Sequence, residues 1–415
     1  MLGAGGREGE ALDEQSLMML ALITLAAVVA PFLADRVEPR LKVPSVVFEI
    51  LLGVLLGPAL LGLVEKTDVV DALSDLGLAF LMFLAGYEIE VGRVVGGPLR
   101  RATWSWLVSL VIGLGVGLAV GGTDAGLVVG LALTTTALGV VLPLVRDAGL
   151  SGTRFGDGVL AVGTIGEFGP ILAIAFVLSG QRPAHTLAVL GVFAALALTG
   201  AWLARKPRHP RLGRLVAATL GTSAQVGLRF CVFLVIVLFA ITEWLGLDPV
   251  LGAFTAGLLV HLFLESGDPA EARIVGSRLE GIGFGFLIPI FYVVTGVGLD
   301  VGSLFSDPAV LLSVPVFLVL LLVVRGVPTF LLHRRDLPRR EALALSTMAS
   351  TALPLIVVIT TAGVSSGALD EAQAAALVFS GVLSVLLFPA LAERIGAIHA
   401  PEAPDARAEE RDDRL

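Results

Sequence analysis

Apolar runs long enough to cross a bilayer as a helix, which takes ~20 residues, recur from one end of the chain to the other, each closed by a short polar or Gly/Pro-containing stretch. There are thirteen, at 16–33, 43–63, 71–89, 102–120, 125–145, 155–179, 185–204, 212–242, 247–264, 280–299, 308–332, 341–362 and 371–391. The pattern predicts an all-α polytopic membrane protein with thirteen transmembrane helices. A segment over 1–15 precedes the membrane domain at 16–396, and a charge-rich tail over 397–415 follows it.

Composition agrees with that reading. Of 415 residues, 56% are hydrophobic and 15% charged, with a mean hydropathy of +0.93. A water-facing surface needs roughly 25% charged residues, so a soluble enzyme, a secreted disulfide scaffold and a nucleic-acid binder are all excluded. The single cysteine, Cys231, has no intrachain partner. Net charge, −8, says little, because position relative to the membrane matters more than the total.

Lys and Arg set the orientation. The connections after the odd-numbered spans, with the tail, hold 23 of the 28, and the opposite side holds three. The remaining two, Arg229 and Arg325, lie inside spans. Basic residues stay on the cytoplasmic side, which puts the N-terminus outside and the C-terminus in the cytoplasm. The alternation runs unbroken and supports the count.

Enzyme chemistry has no foothold. None of Lys42, Lys66 and Lys206 follows a glycine, so there is no phosphate-binding loop. Gly113-Leu-Gly115-Val-Gly117 superficially resembles a dinucleotide fingerprint, but it lies inside a span with no strand before it, where close helix packing explains it. No cofactor is expected.

An internal repeat connects spans seven apart. Leu73-Ser-Asp-Leu-Gly77-Leu-Ala-Phe-Leu81 in span 3 matches Leu279-Glu-Gly-Ile-Gly283-Phe-Gly-Phe-Leu287 in span 10. Leu131-Ala-Leu-Thr134-Thr135-Thr136 in span 5 matches Leu343-Ala-Leu-Ser346, followed by Ser350-Thr351, in span 12. Seven is odd, so the second copy crosses in the opposite direction, as in the inverted-topology repeats of secondary transporters. Repeat one covers 16–179, a linker helix 185–204 and repeat two 212–396. Spans 5 and 12 both place hydroxyls mid-membrane ahead of Pro143 or Pro354. Interrupted helices at corresponding places in two halves point to a binding site at the midplane.

Among the charges within spans, four need accounting: Glu49, Glu167, Arg229 and Arg325. Each is costly at depth unless paired or hydrated, which makes each a functional candidate. Glu167 stands 13 residues past Arg154, about 20 Å along a helix and hence near mid-bilayer. Burial favours the neutral form of a carboxylic acid, the property that lets one group exchange a proton for a hard cation. Arg325 lies eight residues before His333, about 12 Å inside the cytoplasmic face. A guanidinium does not release its proton, so Arg325 is read as a fixed countercharge for Glu167 or for the carbonyl ends of broken helices. Glu49 and Arg229 are read as structural charges paired within the scaffold.

Val43-Pro44-Ser-Val-Val-Phe-Glu49-Ile-Leu-Leu-Gly53-Val-Leu-Leu-Gly57-Pro58 resembles the second-helix motif of the cation:proton antiporter-2 family, the Kef-type Na+/H+ exchangers. Phe83-Leu-Ala-Gly86-Tyr87-Glu88 is similar to its third-helix motif, and Leu251-Gly-Ala-Phe-Thr-Ala-Gly257 to its ninth. The resemblance implies the Na+/H+ antiporter fold, with a dimerisation domain, a mobile core domain and crossing spans 5 and 12. It also implies a homodimer in a bacterial-type plasma membrane. Glu167 falls at the family's ion-binding carboxylate and Arg325 at its span-11 Lys/Arg position, while Thr135, Thr136, Ser350 and Thr351 fall at the crossing. Gly166-Glu167 departs from the usual Asp-Asp or Asn-Asp pair. The tail is too short for the nucleotide-binding domain that many Kef-type systems append.

The expectation is therefore alternating-access exchange of Na+ or K+ for H+, with the metal ion on Glu167. One titratable acid implies electroneutral exchange. A sodium-coupled symporter of an organic anion is the alternative, and a non-transporting membrane scaffold a third reading.

Overall fold

The computed structural model describes residues 14–37, 44–88, 96–177, 225–245, 249–265, 269–299, 301–302 and 307–395, with isolated positions between 191 and 202. The described residues form helices joined by turns, without a strand. In chain order these are α1 (Glu14–Val37), α2 (Ser45–Leu56), α3 (Asp68–Tyr87), α4 (Gly97–Gly121), α5 (Asp124–Ala132), α6 (Leu138–Asp147), α7 (Arg154–Val177), α8 (Val226–Trp244) and α9 (Pro249–Glu265). After them come α10 (Pro269–Ile282) and α11 (Ile288–Val297), α12 (Pro308–Leu321) and α13 (Val327–His333), α14 (Arg339–Ala349), α15 (Pro354–Ser365) and α16 (Glu371–Arg394). One π-turn, Gly283–Leu287, joins α10 to α11, and a second, Leu322–Gly326, joins α12 to α13.

Among the described residues, nine helices are long and apolar enough to cross a bilayer, and Ser45–Leu56 and Pro249–Leu264 are shorter apolar helices. Expected spans 1–6 and 9–13 each coincide with a helix or an interrupted pair, and span 8 does so from Val226 onward. Span 7, most of the segment 1–15 and the tail 397–415 lie outside the described residues. The helix of span 10 begins earlier than its apolar run, at Pro269, because the more polar helix α10 (Pro269–Ile282) continues into it through the π-turn. Helix starts follow ordinary capping chemistry. The Asp307 carboxylate accepts from Ala309 N at 2.8 Å, and that of Asp370 from Gln373 N at 2.7 Å.

Contacts divide the chain into two compact units, 1–88 with 184–303 and 89–183 with 304–415. Each unit is discontinuous and takes one part from the first half of the chain and one from the second. The first holds α1–α3 and α8–α11, with Met19, Ile23, Val70, Ile290, Val293 and Val297 in one core cluster. Its two matched segments are neighbours: Gly77 of α3 lies directly against the backbone of Leu287 and the side chain of Phe291.

The second unit holds α4–α7 and α12–α16. Leu138, Val141, Phe155, Val159, Leu345 and Met348 are among its buried core. Its interrupted segment Arg339–Ser365 is the most enclosed of the candidate spans, with 94% of its apolar window buried. A broken helix needs that setting, since irregular backbone is tolerated at membrane depth where protein covers it. The glycines of the false fingerprint find their explanation here. Gly113 and Gly117 of α4 face Gly130 and Gly126 of α5, backbone against backbone, while nothing lies within 4 Å of a Cβ built on Gly115.

A contrast between neighbouring positions tests this packing. Gly117→Ala drives a methyl into the Gly126 carbonyl and should destabilise the protein by about 1–3 kcal/mol. Gly115→Ala should leave the melting temperature in detergent unchanged.

Candidate functional site

Both broken spans stop in the same way. At the end of α5, Thr134 N and Thr135 N bond to Leu131 O and Ala132 O, and at the end of α14, Ser350 N and Thr351 N bond to Thr347 O and Met348 O. The next amide in each case leaves the helix: Thr136 N reaches Gly166 O at 3.0 Å and Ala352 N reaches Ser384 Oγ at 3.0 Å. The new helices then start at Leu138 and Pro354. This pattern pairs Thr134 with Ser350, so the sequence match of Thr134 to Ser346 is one helical turn out of register.

The two breaks touch. Ala137 N donates to Thr351 O at 2.7 Å, and Thr136 Oγ1 donates to Ala349 O at 2.6 Å. Leu138 N, the first amide of α6, donates to Glu167 Oε1 at 2.9 Å. Its counterpart in the other half is Pro354, which has no amide hydrogen. One half therefore meets the orphan donor of a helix start with a carboxylate, and the other removes the donor. Glu167 is 4% exposed. Its charge sits at the positive end of the α6 dipole, which favours an anion there.

Arg325 lies on the π-turn between α12 and α13 and is fully buried. Its Nε donates to Thr136 Oγ1 at 2.9 Å and its Nη2 to Val162 O at 2.8 Å. Its Nη1 has no hydrogen-bond partner among the described residues. Through Thr136 the guanidinium is linked to Ala349 O, in the last turn of α14, where the helix dipole is negative. Thr136 thus accepts from Arg325 and donates to Ala349. A Cβ on Gly166 would overlap Thr136, with Arg325 Nη2 2.9 Å away. The departure from an acidic pair has this physical reason: the room beside Gly166 is taken by the threonine and the guanidinium.

Of the other expected site residues, the hydroxyls of Thr135 and Ser350 bond back to Ala132 O and Ser346 O of their own helices at 2.8 and 2.9 Å. The Thr351 hydroxyl is buried and makes no hydrogen bond. Among the described buried Ser and Thr, Thr164 is the one other residue of which this is true. Sequence reading missed Thr164, although its position three residues before Glu167 places both on one side of α7. Glu49 is brought to a different place: it is buried in α2, in the first unit, with Ser45 one turn before it hydrogen-bonded to its carboxyl. Arg229 is corrected. Expected deep in span 8, it stands in the first turn of α8 and is exposed, because the left-handed Gln225 (φ 41°) precedes the start of that helix. No group of three His, Cys, Asp or Glu side chains converges among the described residues, so the donors gathered at the crossing are hydroxyls, carbonyls and one carboxylate.

Residues 23–393 match the family described as sodium/hydrogen exchanger, transmembrane. The chain belongs to the sodium/hydrogen exchanger family. It is 29% identical over 394 residues to YjbQ of Bacillus subtilis, named as a Na+/H+ antiporter, a match covering 90% of this chain and 62% of YjbQ's length. GerN of Bacillus cereus, a Na+/H+-K+ antiporter by name, is 24% identical over 395 residues, covering 91% of this chain and 95% of GerN. The sodium proton antiporter MjNhaP1 of Methanocaldococcus jannaschii has the same fold, with a TM-score of 0.67 at 15% identity over 92% of this chain and 98% of that one.

In this member of the family the Thr136 hydroxyl joins two helix ends and a guanidinium, and deleting it strands buried polar groups. Thr136→Val should lower stability by about 2–4 kcal/mol, the sum expected for the Arg325 Nε and Ala349 O bonds. Thr135→Val should do so by less than about 1.5 kcal/mol, because its hydroxyl bonds within its own helix. Denaturation in detergent distinguishes the two.

Proposed function

We propose that this chain is a secondary transporter that exchanges Na+ or K+ for H+ by alternating access, with one carboxylate carrying either ion in turn. The observation that carries the reading is the Glu167 carboxylate, buried against the start of α6 where two broken helices meet. Hard monovalent cations prefer oxygen donors, and Glu167, Thr351 and Thr164 offer a carboxylate and two buried hydroxyls without hydrogen bonds. The carbonyls of the crossing and the oxygens of Thr135, Thr136 and Ser350 complete the set of candidate ligands. Arg325 is a fixed charge-compensating group, held by Thr136 and Val162. It balances carbonyl ends of the broken helices and carries no proton.

Exchange of one proton for one cation follows from one acid, and is electroneutral. The crowding beside Gly166 supports this, since a second acid has no space there. The relatives' names favour exchange over sodium-coupled symport of an organic anion. Since the chain spans 62% of YjbQ's length, the activity is assigned on this chain's own residues. All the site residues lie in the second unit, which we read as the transporting body. The first unit is read as the dimerisation domain of a homodimer in a bacterial inner membrane, with the N-terminus outside. Within the family we read the chain as of the Kef type, a reading supported by the resemblance of Val43–Pro58 to that branch's second-helix motif.

In proteoliposomes holding a pH gradient, addition of Na+ or K+ should dissipate the gradient with wild type and not with Glu167→Gln. Loss of the effect in both proteins, or its persistence in the variant, overturns the assignment. Proton and cation compete for one group, so the apparent KM for the cation should rise as pH falls, by up to about tenfold per unit, the slope set by a single proton. Exchange should generate no current, and a current that reverses with membrane potential would exclude electroneutrality.

A further inference from the structure

Outside the residues assigned above, one side chain of the last helix touches the break in span 12. Ser384 of α16 is fully buried, with its hydroxyl 3.0 Å from both the amide N and the carbonyl O of Ala352. It also lies 2.7 Å from Gly381 O in its own helix. The oxygen accepts from the Ala352 amide and the single hydroxyl proton points to one of the two carbonyls. Ala352 follows Thr351 directly, and its amide is the one that has left α14 without a helical partner. Gly381, one turn earlier on α16, leaves the Ala352 carbonyl 2.8 Å from where a Cβ would stand, so the break rests directly on this helix. In the other half, the corresponding amide of Thr136 is held by a backbone carbonyl, Gly166 O. Only the second break depends on a side chain for this bond.

We infer that Ser384 is a positioning residue for cation binding. It fixes the Ala352 backbone and, through it, the hydroxyl and carbonyl of Thr351. Three hydrogen bonds then link α16 to the carboxylate: Ala352 N to Ser384 Oγ, Ala137 N to Thr351 O, and Leu138 N to Glu167 Oε1. Loss of the first frees the loop that presents Thr351, and weakens binding of the cation more than its passage. The inference rests on the reading of the crossing as the cation site.

The test is Na+- or K+-driven dissipation of a pH gradient by the full chain in proteoliposomes, using whichever cation wild type exchanges. Ser384→Ala should raise the KM for that cation roughly fivefold to tenfold, the scale of one buried hydrogen bond, with kcat within about twofold of wild type. The matched control is Ser380→Ala, which deletes a buried hydroxyl one turn away whose bond runs to Leu377 O in its own helix. It should keep both constants. Ser384→Cys keeps the volume while weakening the hydrogen bonds, and decides the question if the alanine variant does not assemble. A wild-type KM in Ser384→Ala and Ser384→Cys, or an equal loss of kcat in Ser384→Ala and Ser380→Ala, overturns the inference. Glu167→Gln is run alongside. If it is inactive while the Ser384 variants behave as wild type, this inference fails alone. If it exchanges as wild type does, the site reading fails and the inference falls with it.

Discussion

A peptide group left unpaired in hydrocarbon costs several kcal/mol, and the second unit is organised around meeting that demand where two helices stop within the membrane. α5 and α14 end in carbonyls that have no continuing turn, and α6 and α15 begin with amides that have none before them. Several of these groups at the crossing meet a partner from the opposite break or from a neighbouring helix. Ala137 N meets Thr351 O, Thr136 Oγ1 meets Ala349 O, and Thr136 N meets Gly166 O. The enclosure of Arg339–Ser365 by protein follows from the same constraint.

Charge enters this arrangement as part of the backbone's own electrostatics. Four half-helix ends converge, two carrying roughly +0.5 and two roughly −0.5 of a charge. Glu167 answers a positive end directly, through Leu138 N, and Arg325 answers a negative end through Thr136. Pro354 makes the two halves unequal, because it needs no acceptor where Leu138 requires one. The site therefore has one acid and not two. With the filled space beside Gly166, that asymmetry leaves Glu167 as the one carboxylate at the crossing among the described residues.

On the proposed function, a cation bound at Glu167 would alter the charge balance there without unmaking the hydrogen bonds of the crossing. Proton and cation both neutralise the carboxylate, so either leaves the buried region with less net charge than the empty, ionised state. On that same proposal, a carrier that moves readily only when loaded would follow from the desolvation of that charge, and the hydrogen bonds of Thr136, Thr351 and Ser384 would hold the loop geometry while the occupant changes.

Much of this was legible along the chain. Apolar run length predicted the helices, and the hydroxyl clusters before Pro143 and Pro354 marked the breaks, because two such clusters at corresponding places in the two halves favour interrupted helices over continuous ones. Glu167 and Arg325 stood out by the cost of burying a charge. The register of the repeat was out by a turn, since Leu-Ala-Leu followed by a hydroxyl residue recurs without regard to which hydroxyl ends the helix. Arg229 was placed too deep because an apolar run does not record the left-handed residue at Gln225. Thr164 and Ser384 carry no local mark: a threonine or serine in a helix normally bonds its own backbone, and whether it does so depends on what stands opposite. Sequence by itself determined which apolar segments among the described residues form helices, where two of them break and that Glu49, Glu167 and Arg325 are buried, because those follow from the free energy of single residues in hydrocarbon. Only the tertiary structure decided which orphan amide meets which acceptor and that each compact unit joins segments from both halves of the chain, because hydrogen bonds and packing join residues that the chain keeps far apart.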